Sequence, residues 1–134
     1  MKNEMKNILK KTGIAVGLVL VIMLAWWVVS LIKCEITTAL HKDVIDVYDA
    51  DAAYFVDGYD FAKVLEYSDD EASVYYINQW KNERGEGSMG TVITYVKVDG
   101  NWVTYSCDTM WSSEGNADRT PWPYWHHCFR FLMK

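Results

Sequence analysis

The sequence predicts an α+β protein in which an N-terminal transmembrane helix precedes a helix packed on a four- to five-stranded antiparallel meander sheet. Two changes in residue pattern support this prediction. An uncharged apolar run, Gly13–Ile32, is followed by apolar residues at helical spacing, and after Gly58 the spacing changes to alternation. The expected order is therefore anchor, helix and strands, with the helix on one face of the sheet.

The apolar run is long enough to cross a membrane. Its 20 residues, at ~1.5 Å each, span ~30 Å, the thickness of the hydrocarbon core of a bilayer. A cleaved secretory signal would have a shorter apolar region that ends at a small-x-small site, and Val28–Lys33 contains no such site. We therefore expect an uncleaved signal anchor at residues 13–33, between a basic tail at 1–12 and a domain at 34–134.

Charge is distributed unevenly along the chain. Residues 1–12 carry four lysines and one glutamate, whereas residues 34–134 carry 8 Lys and Arg against 17 Asp and Glu, a net charge near −9. Because basic flanks stay on the cytoplasmic side, we expect the N-terminus in the cytoplasm and the domain outside it, at the cell membrane. The acidity disfavours nucleic-acid binding and keeps an aromatic-rich domain soluble.

Gly13 and Gly17 form a GxxxG step within the apolar run. Such a step lets two membrane helices approach closely, so these residues are the candidate helix-dimer face of a homodimer. The alternative is that the pair has no such role, because glycine is common in membrane helices and this pair lies at one end of the run.

A second helical pattern begins the domain. Apolar residues recur at steps of three, four or seven, and Asp57-Gly58 supplies a stop. The residues of this stripe are Ile36, Leu40, Val44, Val47, Tyr48 and Phe55. We expect this helix to continue from the membrane span without a flexible linker.

After Gly58, alternating segments predict strands. They are Phe61–Tyr67, Ala72–Trp80, Thr91–Val98, Asn101–Trp111 and Trp125–Leu132. Asp99-Gly100 predicts a two-residue hairpin turn, from which the register can be read outward. The face expected to be the core contains Val92, Thr94, Val96, Val98, Val103, Tyr105 and Cys107. The opposite face, with Ile93, Tyr95 and Trp102, is expected to be mixed.

The sequence contains a match to a nucleotide-binding pattern. Gly85–Gly90 reads GEGSMG, a GxGxxG match, but a dinucleotide fold needs a helix directly afterwards and a strand is predicted there. We therefore interpret this segment as a glycine-rich hairpin loop.

Metal-ligand and catalytic patterns are weak. His126, His127 and Cys128 are consecutive, and adjacent strand residues point to opposite faces, so one metal cannot easily bind them. The aspartates between residues 49 and 60 lack EF-hand spacing. No catalytic serine or cysteine signature is present. We expect no catalytic residues, no metal and no cofactor.

Aromatic residues crowd the C-terminal third of the chain. The candidate partner or ligand surface consists of Trp102, Trp111, Trp122, Tyr124 and Trp125. If exposed, these rings could stack on a sugar or on the side chains of a partner. If buried, they would close the core of a small domain. The sequence leaves both interpretations open.

Cys107 and Cys128 are a candidate disulfide. Both lie in the part expected outside the cytoplasm, where disulfides persist, and on the last two predicted strands. A bridge would close a loop of about twenty residues and stabilise the domain by ~3 kcal/mol. The alternative is two free thiols, one of them a small buried hydrophobic residue.

The strand–turn–Trp segment Val96–Trp102 (VKVDGNW), which closes a meander behind an N-terminal helix, resembles the small NTF2-like (cystatin-like) domains. The resemblance covers about residues 35–111. Such domains are often displayed outside bacterial cells behind a membrane or lipid anchor. The resemblance implies a curved sheet that can form a pocket, and it implies no particular reaction, because the family includes enzymes, ligand binders and assembly modules.

We therefore expect a membrane-tethered extracytoplasmic binding or assembly module without catalytic activity, which contacts a protein partner or a small ligand. One alternative is a small hydrolase or isomerase with a pocket on an NTF2-like sheet. Another is a subunit of a larger cell-envelope complex. A deep pocket with a buried acid or histidine would favour the enzyme, and exposed aromatic residues on a shallow surface would favour binding.

Overall fold

The computed structural model describes residues 1–48, 58–113, 116–117 and 119–127. The chain divides into two compact units, Met1–Ile32 and Lys33–Lys134. Helix α1, Lys2–Leu40, forms the first unit and continues into the beginning of the second. The predicted continuity between the apolar run and the following helix is therefore present.

The first unit is a helix whose apolar residues are exposed all round. Its most apolar window has a mean hydropathy of 2.7, and none of that window is buried. Within the described residues, this is the one helix long and apolar enough to cross a membrane. Apart from the neighbouring backbone of the helix itself, no atom lies within 4 Å of a Cβ atom added at Gly13 or Gly17, and their role as a dimer face stays a prediction.

The second unit is built on an antiparallel meander with strand order β1-β2-β3-β4-β5 in the described part of the chain. The short helix α2, Lys42–Ile45, precedes the sheet. The strands are β1 Phe61–Tyr67, β2 Glu71–Asn82, β3 Gly85–Val98, β4 Asn101–Ser112 and β5 Asn116–Ala117. The predicted α+β class is confirmed, and the first four predicted strands are present, with β2 and β3 longer than expected.

The two faces of the sheet are covered by different parts of the chain. On the first face, Val44 and Ile45 of α2 pack into the core. The strand residues buried in this cluster are Val64, Ala72, Val74, Tyr76, Ile93 and Tyr95. On the second face, the segment 121–127 packs through Tyr124 and His127 onto rings of β1 and β2.

The Asp99-Gly100 turn forms as predicted, with φ values of 50° and 82°. Val92 is buried as expected, but the assignment of the core face is wrong for the residues near the turn. Ile93 and Tyr95 are fully buried on the first face, whereas Val103, expected in the core, is 47% exposed on the second. Both faces carry apolar residues, so alternation alone could not decide which one is covered.

A β-bulge adds to this error. In the β3–β4 ladder, Thr94 pairs with Ser106 and Tyr95 with Thr104, so Tyr105 is an extra residue in β4. Beyond it, Cys107 pairs with Ile93 and packs against the first-face core. Without the bulge, strict alternation along β4 would place Cys107 and Val103 on the same face, and the sequence-based prediction therefore grouped them together.

The helical stripe is only partly correct. Ile36 and Leu40 are 55% and 72% exposed, and the buried residues of this part of α1 are Cys34 and Thr38. Val44, Val47 and Tyr48 pack on the core as expected, and Phe55 lies outside the described residues. The stripe fails in α1 because this helix contacts the sheet through small polar side chains.

These small side chains bond to the outer edge of β1 at Val64. The Val64 N–H donates to Thr38 Oγ1 at 2.9 Å, and Cys34 Sγ donates to the Val64 carbonyl at 3.1 Å. Thr38 Oγ1 in turn donates to the Cys34 carbonyl at 2.7 Å. An edge strand with unpaired backbone groups can pair with another chain, and α1 occupies the backbone groups of this edge at Val64.

Two further sequence predictions are corrected. Gly85–Gly90 is the first part of β3, and the hairpin turn lies before it at Glu83 and Arg84. The second concerns the predicted strand Trp125–Leu132. Residues 125–127 form a 3₁₀ turn instead of a strand, and residues 128–132 lie outside the described residues.

Candidate functional site

Tyrosine hydroxyls are bonded to one another beneath α2 on the first face. Tyr76 Oη donates to the Ile45 carbonyl at 3.2 Å and lies 2.9 Å from Tyr95 Oη. Since the Tyr76 proton is already used, Tyr95 is the donor of the second bond. Burial raises the pKa of Tyr76, and it raises the pKa of Tyr95 to about 12. Both hydroxyls are therefore neutral near pH 7 and join α2 to the sheet.

A second network joins the C-terminal segment to the other face. Trp111 Nε1 donates to Tyr75 Oη at 2.7 Å, and that oxygen lies 3.1 Å from His127 Nδ1. Tyr75 and Trp111 are fully buried, and His127 is 7% exposed. The His127 ring is also packed at 5.3 Å, centroid to centroid, against Phe61 and Tyr124. This buried histidine is enclosed by aromatic rings, an arrangement that stabilises packing.

The same segment is bonded to α1. Glu35 Oε1 accepts a hydrogen bond from Tyr124 Oη at 2.8 Å, and Glu35 Oε2 forms an ion pair with Lys63. The hydrogen bond from Lys63 lowers the pKa of Glu35. Burial and the bond to Glu35 raise the pKa of Tyr124. Helix, strand β1 and C-terminal segment are thus held together at one carboxylate.

The structure divides the predicted aromatic surface into three environments. Trp111 and Tyr124 are buried in the second-face network. Trp102 is half-buried on the first face, with its ring 5.8 Å from that of Tyr67. Trp122 and Trp125 are exposed by 45% and 38%. The interpretation as core residues therefore holds for Trp111 and Tyr124, and the interpretation as exposed residues holds for Trp122 and Trp125.

A different group of apolar side chains is exposed near the Asp99-Gly100 turn. Val98, Val103 and Tyr105 are 51%, 47% and 74% exposed. Val103 pairs with Val96 on the second face, and Tyr105 lies at the bulge. We call these three residues the hairpin patch. The sequence identified them as apolar and aligned, but their role as surface was missed because they were assigned to the core.

The hairpin patch adjoins an open strand edge. Strand β5 pairs with β4 only at Trp111 and Ser112. In the part of the chain that the structure describes, no strand pairs with the outer edge of β4 from Asn101 to Thr109. This edge contrasts with the outer edge of β1, whose Val64 backbone groups bond to α1.

A depression of about 190 Å³ lies at the turn between β1 and β2, lined by Glu66, Tyr67, Ser68, Glu71, Ala72 and Ser73. The Ser68 hydroxyl accepts a hydrogen bond from the Glu71 N–H and donates to the Glu71 carbonyl. Its proton is therefore used in the turn, which is unlike the arrangement of an activated nucleophile.

Among the described residues, no group of three or more His, Cys, Asp or Glu side chains could hold a metal ion. Cys34 is a free thiol, and burial raises its pKa. Cys107 lies on the first face, whereas His127, the residue before Cys128, lies on the second. Cys128 is outside the described residues, and the Cys107–Cys128 bridge stays a prediction.

Comparison with protein-family models, curated proteins and solved structures found no match to this chain. The resemblance to NTF2-like domains accordingly stays a hypothesis.

Proposed function

We propose that the protein is a single-pass membrane protein, with a cytoplasmic N-terminus and an extracytoplasmic domain that serves as a non-enzymatic binding or assembly module. The apolar helix supports the membrane assignment, because exposed apolar side chains all round a helix are stable in lipid. The four lysines of residues 1–12 support the cytoplasmic position of the N-terminus.

The exposure of the hairpin patch is the observation that carries the binding function. Single exposed apolar residues are normal in soluble domains, but neighbouring ones rimmed by polar residues are typical of interaction surfaces. Val98, Val103 and Tyr105 lie on one hairpin, and polar Asn101, which pairs with Val98, is exposed beside them. We therefore assign partner binding to this hairpin.

The outer edge of β4, which no described strand pairs with from Asn101 to Thr109, adds a second means of recognition at the same place. A partner in extended conformation could pair with the edge through backbone hydrogen bonds, while its side chains contact the hairpin patch. The bulge at Tyr105 interrupts the ladder and limits indiscriminate pairing. This surface is therefore better suited to binding a specific protein partner than to pairing indiscriminately with other copies of the chain.

Site-specific photo-crosslinking tests the proposal. A benzophenone side chain is placed at Tyr105 in the full chain and irradiated in native membranes. The matched control is the same group at Lys97, which lies on the same hairpin and faces the opposite side, opposite Trp102. We expect Tyr105 to give a discrete cross-linked product that the Lys97 control lacks.

Val103→Asp provides a second readout. It should abolish the cross-link from Tyr105 and leave the melting temperature of the domain unchanged, because Val103 is outside the core. Equal capture from Tyr105 and Lys97, or a cross-link that persists in Val103→Asp, would show that the hairpin patch is not the binding surface.

A further inference from the structure

One charged side chain lies along the outer edge of β4. Asp108 is the single charged residue in the sequence of this strand, and it is exposed. It pairs with Val92 of β3, which in turn pairs with the second-face residue Tyr75 of β2. Asp108 therefore lies on the second face, the same face as Val103 of the hairpin patch.

The Asp108 carboxylate is not neutralised by a described neighbour. Among the described residues, no lysine or arginine forms an ion pair with it, and this includes Arg119, whose N–H donates to the Met110 carbonyl at 3.3 Å. Lys63 belongs to the same row across the sheet, but it lies three strands away and is paired with Glu35. Three strand spacings are about 14 Å, more than the Debye length of ~8 Å at physiological salt.

Further carboxylates lie on the second face. Glu71 pairs with Val96, and Val96 pairs with Val103, so these residues form one row across the sheet. Glu66 of β1 is exposed in the neighbouring row. At two or three strand spacings from β4, roughly 10–14 Å, these two carboxylates are largely screened there. They make the face negative, whereas Asp108 is the charge that a ligand at the edge would contact.

We propose that the hairpin patch and the β4 edge bind a basic segment of another protein in extended conformation, with a lysine or arginine beside Asp108 and an apolar residue beside Val103. The proposal rests on the proposed function and specifies the chemistry of the partner. In an added strand, every second side chain lies on the second face, next to these two residues. Opposite charges attract at such adjacent positions, and like charges repel. The net charge near −9 of residues 34–134 disfavours a second copy of this chain.

The other side chains of the added strand would lie on the first face. There β4 presents Trp102, Thr104 and Cys107, which are half-buried and uncharged. The Lys97 ammonium lies 5.0 Å from the centroid of the Trp102 ring. This side of β4 therefore has no carboxylate for a basic residue, and Lys97 repels one. Basic residues are expected at alternate positions of the partner segment, with uncharged residues between them.

Charge reversal combined with photo-crosslinking tests the proposal. The full chain with a benzophenone side chain at Tyr105 is irradiated in native membranes, alone and with Asp108→Asn or Asp108→Lys. Asp108→Asn keeps the shape of the side chain, so it separates the effect of charge from that of folding. The matched control is Glu86→Lys, the same change of net charge at an exposed residue near the start of β3.

We expect Asp108→Asn to lower the yield of the cross-linked product about two- to fivefold, and Asp108→Lys to lower it further, because attraction becomes repulsion. Glu86→Lys should keep the yield. Mass spectrometry should show lysine or arginine at alternate positions of the peptide attached at Tyr105.

A product from the native chain whose yield is unchanged in Asp108→Lys, or equally reduced in Glu86→Lys, overturns the inference and leaves the binding surface standing. An attached peptide that lacks lysine and arginine, or that comes from this chain itself, also overturns it. If the native chain gives no product at Tyr105, the proposed function fails, and the inference fails with it.

Discussion

Gly90 provides a demanding test of the second-face packing. It is the last glycine of the GxGxxG match, and in the structure it pairs with Trp111 across the β3–β4 ladder. A Cβ atom at this position would overlap the Trp111 indole, including Nε1 and two ring carbons. A glycine inside a strand commonly marks such a close approach, so the packing of the indole explains this residue without a phosphate ligand.

Gly90→Ala should therefore displace Trp111. Overpacking a core typically costs about 1–3 kcal/mol. Moving the indole also weakens its hydrogen bond to Tyr75, at 2.7 Å, which contributes about 1 kcal/mol. The expected loss is about 2–4 kcal/mol in the free energy of unfolding. For a domain of this size, that corresponds to a melting temperature lower by roughly 10–30 °C.

The assay is urea unfolding of the full chain in nanodiscs, followed by tryptophan fluorescence. A double-mutant cycle with Trp111→Leu separates the overlap from other effects of the alanine. In the Trp111→Leu background, Gly90→Ala should cost less than about 1 kcal/mol, because the smaller side chain leaves space for the methyl group. An equal cost in both backgrounds, or no cost in the native background, would refute the packing of Trp111 on Gly90.

Three further predictions concern the edge, the faces and the tyrosines. Thr38→Val should cost about 1–3 kcal/mol in urea unfolding, because it leaves a buried β1 N–H without an acceptor, whereas Thr37→Val on the exposed side should cost little. Val103→Asp should change stability by less than about 0.5 kcal/mol, and Ile93→Asp, a charge in the core, should prevent folding as judged by near-UV circular dichroism. Stability should fall between pH 10 and pH 12, since unfolded tyrosine ionises near 10 and Tyr95 only near 12. For one such group, the free energy of unfolding should fall by up to about 1.4 kcal/mol per pH unit, and Tyr95→Phe should make this fall smaller. An equal fall in that variant would contradict the assignment.

Elements determined by local sequence were predictable. The length of Gly13–Ile32 indicates a helix long and apolar enough to cross a membrane, and Asp99-Gly100 indicates the hairpin, because both signals depend on neighbouring residues alone. The identity of the core face depends on which face α2 covers, and that contact joins residues far apart in sequence. The bulge at Tyr105 depends on the strand partner and has no clear local signal.

The contacts that position the C-terminal segment were also beyond sequence reasoning. Glu35 and Tyr124 are separated by 89 residues, and neither belongs to a recognisable motif. The contact of α1 with β1 had a usable signal, because Cys34 and Thr38 are small polar residues one helical turn apart. A search for apolar stripes alone favours Ile36 and Leu40, which are exposed.

Amine labelling of intact cells tests most directly whether the helix spans the membrane with the domain outside. A membrane-impermeant acylating reagent is applied before and after permeabilisation, and modified lysines are identified by mass spectrometry. We predict that exposed Lys97 is modified in intact cells, and that Lys6 and Lys10 react only after permeabilisation. Peptides should also show Gly13–Ile32 still joined to Lys33. Modification of Lys6 and Lys10 but not Lys97 in intact cells, or a mature N-terminus near Cys34, would contradict the account.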